Sequence, residues 1–163
     1  MLRVVEDHLG SNQVSRVIYG TIIGLALVVA LEHDHPRPAV MVATLLGTAV
    51  AVGLAEFYSE VVGTEVRTRR RVDRAGVREI TTDVGAVGFG ISFPTVFFLL
   101  SVAGAMQVET AFAVAKWSGL ALTGFYGFWA ARLADAGTLR AVGQATAVAL
   151  IGAFLVGLKA LIH

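Results

Sequence analysis

The feature that most limits what this chain can become is a series of long, nearly charge-free runs, each close to the length of a membrane-crossing helix. Roughly 20 apolar residues at 1.5 Å each match the ~30 Å hydrocarbon core of a bilayer. Five runs approach that length, at about 14–31, 39–62, 84–106, 110–131 and 141–162. Charged residues make up only 15% of the 163 and mean hydropathy is +0.73, whereas soluble domains carry about a quarter charged residues. The expected fold class is therefore all-α: a polytopic membrane protein of five transmembrane helices, with 1–163 forming a single transmembrane domain.

The segments between the runs fit that plan. Residues 1–13 are too polar to span, but Leu2, Val5 and Leu9 share one helical face, which suggests an amphipathic segment lying on the membrane surface. The first run lacks the basic leader and small-residue cleavage pattern of a removable signal peptide, so it is kept as structure. Glu32-His33-Asp34-His35-Pro36-Arg37-Pro38 reads as a loop, because two prolines and several polar groups stop a helix. The strongly basic stretch 67–79 is expected to be a cytoplasmic loop, with Asp83 capping the helix that follows. The short link 134–138 makes the last two runs an antiparallel hairpin.

Charge orients the bundle. With the N-terminus inside, ten basic residues face the cytoplasm: Arg3, Arg16, Arg67, Arg69, Arg70, Arg71, Arg74, Arg78, Arg132 and Arg140. Arg37, Lys116 and Lys159 fall on or nearer the other side. That bias places the N-terminus in the cytoplasm and the C-terminus outside. The preference for Arg over Lys, with abundant Ala, Gly and Val, points to a GC-rich bacterial genome and hence to the bacterial inner membrane.

The net charge of +1 offers no general field for nucleic acid, and no nucleic-acid partner is expected. Arg69, Arg70 and Arg71 instead face lipid, where anionic headgroups attract a juxtamembrane basic cluster. The absence of cysteine excludes disulfides, thiolate metal sites and a cysteine nucleophile. No Ser/His/Asp constellation or phosphate-binding glycine loop is visible, so no enzyme is expected. Gly20-Thr-Ile-Ile-Gly24 is a GxxxG pair suited to close helix contact, within the bundle or between protomers, and a dimer contact is expected to include it.

Ionisable groups inside a span are costly and tend to be functional. Glu56 and Glu60 lie four residues apart, so both carboxylates leave one face of the second helix. With Ser59 and Tyr58 beside them they form a candidate cation- or proton-binding set, with Glu56 the metal ligand. The bland alternative leaves Glu60 solvated and Glu56 paired to an arginine. Lys116, followed by Trp117, reads as a lysine reaching to the interface beside an aromatic anchor. His33 and His35 are a weaker metal pair, facing the same way if the backbone is extended.

The order of several motifs resembles the vacuolar iron transporter (VIT) family. Arg16-Val-Ile-Tyr-Gly20 is similar to the start of that family's first span, and Ala55-Glu56-Phe57-Tyr58-Ser59 to its Gly-Glu-Tyr-Val-Ser run. Gly90-Ile-Ser-Phe-Pro94 resembles its Gly-x-x-x-Pro. Tyr126-Gly-Phe-Trp-Ala-Ala-Arg-Leu, Leu139-Arg140 and Leu150-Ile151-Gly152-Ala153 follow its last two helices. The resemblance implies a five-span homodimer that exchanges divalent metal cations for protons, the metal being substrate rather than cofactor. Ile23 and Val52 stand where the family has Asp and Met, and its cytoplasmic metal-binding helices shrink to 67–79, so Glu56 is the cation-site position retained.

Two functions follow: a cation transporter using Glu56 and Glu60, or a non-transporting subunit or scaffold for another membrane protein that kept the fold but lost the metal ligands. The topology is directly testable because the chain has no cysteine. Single cysteines at Asp34 and His163 should react with an impermeant thiol reagent in intact cells, and those at Asp73 and Ala136 should not. Strong labelling at 73 would reverse the orientation.

Overall fold

A computed structural model describes residues 13–133 continuously and four isolated positions beyond them, Gly143, Thr146, Leu150 and Phe154, each helical and exposed. The surface segment expected at 1–13, apart from Gln13, lies outside the described residues. So do the link at 134–138 and all but those four positions of the fifth run. The elements are α1 (Gln13–Leu31), a 3₁₀ turn (Glu32–Asp34), α2 (Pro38–Thr68), α3 (Arg74–Ser92), α4 (Thr95–Val102) and α5 (Val108–Leu133). No strand occurs among the described residues.

The helices Gln13–Asp34, counting the 3₁₀ turn, and Pro38–Thr68 are each long and apolar enough to cross a membrane. The pair α3 and α4 passes the same test if taken as one span, although it bends by 48°. The described chain thus holds two such helices, or three with the bent pair. α5 covers the fourth expected run, but Glu109, Lys116 and its glycines and hydroxyl residues make it less apolar than these. At 31 residues, α2 is about 46 Å long and overshoots a ~30 Å hydrocarbon core.

Local chemistry sets the helix ends. Pro38 sits in the first turn of α2, where a missing N–H costs nothing. The helix stops at Arg69, whose φ of 53° is left-handed. Asp73 then caps α3, its Oδ1 accepting from the Gly76 N–H at 2.8 Å. This corrects two expectations. The stretch 67–79 is not a loop: only 69–73 are non-helical, because a good N-cap lets α3 begin at Arg74. Asp83 therefore lies midway along α3 and cannot cap it.

The third run differs as well. It begins ten residues earlier than expected and breaks at Phe93–Pro94. Proline has no N–H to give to the carbonyl four residues back, and its ring crowds that carbonyl, so the chain bends there. Thr95, just after the break, buries a hydroxyl with no partner among the described residues.

Close packing concentrates on α1. A Cβ on Gly20 would fall 2.1 Å from the Val87 carbonyl oxygen, and one on Gly24 would lie 2.8 Å from that of Ile91. A Cβ on Gly90 would meet Val17 O at 2.5 Å and Thr21 N at 2.6 Å. The backbones of α1 and α3 therefore touch where side chains are absent. This corrects the assignment of the Gly20/Gly24 face to a contact between protomers, because that face is filled within the chain by α3. α1 also packs on α5, whereas α2 packs on α3 and α4 and scarcely touches α1.

The apolar core gathers Val28 of α1, Met41 and Leu45 of α2, Phe98 of α4 and Phe112 of α5. Phe98 and Phe112 meet edge to face, with centroids 4.9 Å apart. The outer side of α2 is left open, with Val50, Leu54 and Tyr58 each more than 60% exposed.

The glycine contacts give a direct test by thermal unfolding in detergent. Gly20→Ala and Gly90→Ala should each destabilise the protein by about 1–3 kcal/mol, because backbone atoms rather than side-chain tips must move. Gly47→Ala, placed in open space within α2, should be neutral or stabilise by up to about 1 kcal/mol. Equal effects at all three positions would show that α1 and α3 do not meet in this way.

Candidate functional site

The two carboxylates singled out in the sequence do come together, through a residue whose role the sequence left open. Arg16, one turn into α1, donates from Nη1 to Glu56 Oε1 and from Nη2 to Glu60 Oε1. The i,i+4 spacing stacks the carboxylates on one face of α2, and the planar guanidinium has the fork to take one with each arm. The three side chains are 19–29% exposed, so the cluster is neither dry nor fully solvated. Two carboxylates against one guanidinium leave a formal charge of −1.

Arg16 also separates two recesses. A cavity of about 250 Å³ lies towards α3, lined by Arg16 with Glu60, Thr64 and Arg67 on one side and Glu79 and Asp83 on the other. A more open recess of about 550 Å³ lies beyond Glu56, lined by Ser15, Arg16 and Tyr19. Asp83, misplaced as a cap from the sequence, is thus a wall of the charged cavity. Arg67 turns its guanidinium to Thr64 Oγ1 at 3.3 Å. The clamp is also the main link between α1 and α2 at this end, since their backbones hardly meet.

Other expected site residues fall elsewhere. Ser59 and Tyr58 are exposed, on a different face of α2 from the carboxylates, and do not join the cluster. At about 100° per residue, Ser59 is turned one step off Glu60, and Tyr58, two steps from either acid, points nearly opposite to both. The loop 32–35 is not extended: Glu32–Asp34 form a 3₁₀ turn and His35 has a left-handed φ of 43°. The condition that aligned His33 with His35 is therefore unmet. Among the described residues, no group of three or more His, Cys, Asp or Glu is placed to hold a metal ion.

Lys116 does not simply reach for the interface. Its Nζ meets Glu32 Oε1 at 2.6 Å, tying α5 to the end of α1 opposite the Arg16 clamp, while Trp117 is 73% exposed. Arg69, Arg70 and Arg71 are exposed at the turn between α2 and α3. The signal that could have exposed the clamp was in plain sight: Arg16 is a charge inside an apolar run, and such a charge needs a partner.

Fold and site together define an all-helical protein, with helices fit to cross a membrane and a charged cluster that joins two of them beside a third. No protein-family model, no curated protein and no solved structure matches the chain.

Removing the guanidinium leaves two neighbouring carboxylates without their counterion. Arg16→Ala should lower stability by about 1–3 kcal/mol, less than a fully buried pair would cost because the cluster is partly hydrated. Arg16→Lys should recover only part of this, since an ammonium lacks the fork that spans both acids. Denaturation in mild detergent, with Arg70→Ala as exposed reference, makes the comparison. A loss no larger than the reference would mean that the clamp contributes nothing.

Proposed function

We propose that the chain is an integral membrane, transporter-like protein that moves a small cation, with Glu56 and Glu60 as the exchanging carboxylates and Arg16 as their resident counterion. The observation that carries this reading is the shared clamp: two acids on one helical face, held by a single guanidinium between two recesses. Charges at such depth are expensive unless paired or used. A carboxylate must be deprotonated to bind a metal, so metal and proton compete for the same oxygens, and that competition is a form of exchange. Arg16 would offset one of the two negative charges of the empty site and yield when a cation arrives.

The five-span bundle, the cytoplasmic N-terminus, the bacterial inner membrane and VIT-like kinship belong to the same proposal. They rest on the apolar runs, the ten-to-three bias of basic residues and the order of the motifs. A homodimer of the kind that kinship implies would need a surface other than Gly20 and Gly24, which α3 already covers. A divalent metal ion would be the substrate.

One observation favours the second reading, a non-transporting subunit. Arg16 already satisfies an oxygen of each carboxylate, so the acids have a purely structural use available. Proteoliposomes separate the two. With an opposing proton gradient, wild type should take up ferrous, manganous or zinc ions. Glu56→Gln should fall to the level of empty vesicles, and Glu60→Gln, the more exposed acid, should fall less. Absence of flux for all of these ions and for protons, with Glu56→Gln behaving as wild type, would leave the subunit reading.

A further inference from the structure

A third recess lies on the side of α3 away from the Arg16 clamp. It is an open groove of about 690 Å³ between α2 and α3, almost wholly apolar. Thr81, Gly85, Gly88 and Ser92 form its α3 wall, and the exposed Val50 and Leu54 help to form its α2 wall. From Thr81 to Ser92 is eleven steps along the helix, or about 16 Å, close to the depth of one leaflet of a ~30 Å hydrocarbon core. A Cβ added at Gly85 or Gly88 would meet nothing within 4 Å, so the groove floor is free to receive a ligand.

The same face of α3 continues towards the helix start as Arg78 and Arg74, at helical spacings of three and four residues from Thr81 and from each other. Both are exposed, and neither guanidinium makes an ion pair or hydrogen bond with any described residue. Arg70 and Arg71, at the adjoining turn, likewise present exposed guanidinium groups. One continuous stripe therefore runs from unpaired positive charge into an open apolar channel of leaflet depth.

We propose that this stripe is the binding site of one anionic phospholipid, its phosphate held by Arg74 and Arg78 and one acyl chain lying in the α2–α3 groove. Charge complementarity selects the head: a phosphate offers guanidinium the paired oxygen acceptors that no carboxylate among the described residues supplies here. The missing side chains at Gly85 and Gly88 select the tail, because they let a chain lie against the helix backbone. The inference rests on the membrane reading of the chain but not on cation transport.

The test uses the full chain purified in mild detergent, with equal amounts of phosphatidylglycerol and phosphatidylcholine of matched acyl length, and counts retained lipid by native mass spectrometry. Wild type should keep phosphatidylglycerol in preference. Replacing both arginines, Arg74→Gln with Arg78→Gln, should weaken its retention about 25-fold, at roughly 1 kcal/mol for each basic residue near a lipid phosphate. Gly85→Leu with Gly88→Leu should lose the lipid although both arginines remain, with helical content unchanged because the added side chains enter open space. Glycerol phosphate, which has the head but no chains, should not compete.

Equal retention of the two lipids by wild type would overturn the proposal. So would competition by glycerol phosphate as strong as that of the lipid, which would mark a simple phosphate site. A shift from dimer to monomer in the leucine variant with lipid retention intact would assign the groove to a second copy of the chain. In any of these cases, a chain that stays in membranes through an alkaline carbonate wash keeps the membrane reading. Release by that wash would sink the membrane reading and the lipid site together.

Discussion

The contact of α1 with α3 at Gly20, Gly24 and Gly90 is the joint on which the other positions depend. Two helices in a nonpolar solvent gain little from hiding apolar side chains, so they associate where their backbones can lie close together. Three glycines supply that closeness here, and a methyl group at any of them would run into backbone atoms. With α3 held against α1, α2 packs on another face of α3, and the acids of α2 come within reach of Arg16 although the α1 and α2 backbones barely meet.

Two charged ties then act at opposite ends of α1. Arg16 engages α2 near the basic end, and Glu32 engages Lys116 of α5 at the other. Neither is deeply buried. Each pair avoids most of the cost of drying its charges while keeping more attraction than an exposed surface pair would have. The net negative charge left at the Arg16 clamp is the feature that distinguishes it from a simple brace, since it leaves room for a further positive charge.

Much of the fold was legible in the sequence because it depends on length and local chemistry. The runs at 14–31 and 39–62 match α1 and most of α2, and the two prolines in 36–38 mark the link between them. The rest was lost where tertiary context or a short-range signal outweighed composition. Six arginines within 67–79 suggest a solvated loop, yet Asp73 with a free N–H three residues on starts a helix in the middle of them. Pro94 stands in a Gly-x-x-x-Pro run, and the run alone does not state that the helix bends there. For the site, i,i+4 spacing placed Glu56 and Glu60 on one face, whereas no periodicity states which arginine on another helix will meet them. Ser59 adjoins Glu60 in the chain, and adjacency on a helix means facing elsewhere.

The open outer side of α2 has a consequence for how such a chain can change over generations. Positions such as Val50 and Leu54 are more than 60% exposed, so a bilayer would accept many oily residues there. The demands that admit few substitutes fall on a small set scattered along the chain: three glycines, the Arg16–Glu56–Glu60 trio and the Glu32–Lys116 pair. Two lineages could drift apart in most of their letters while preserving the same architecture, and their common descent would then be recorded in a handful of spaced positions rather than in overall identity.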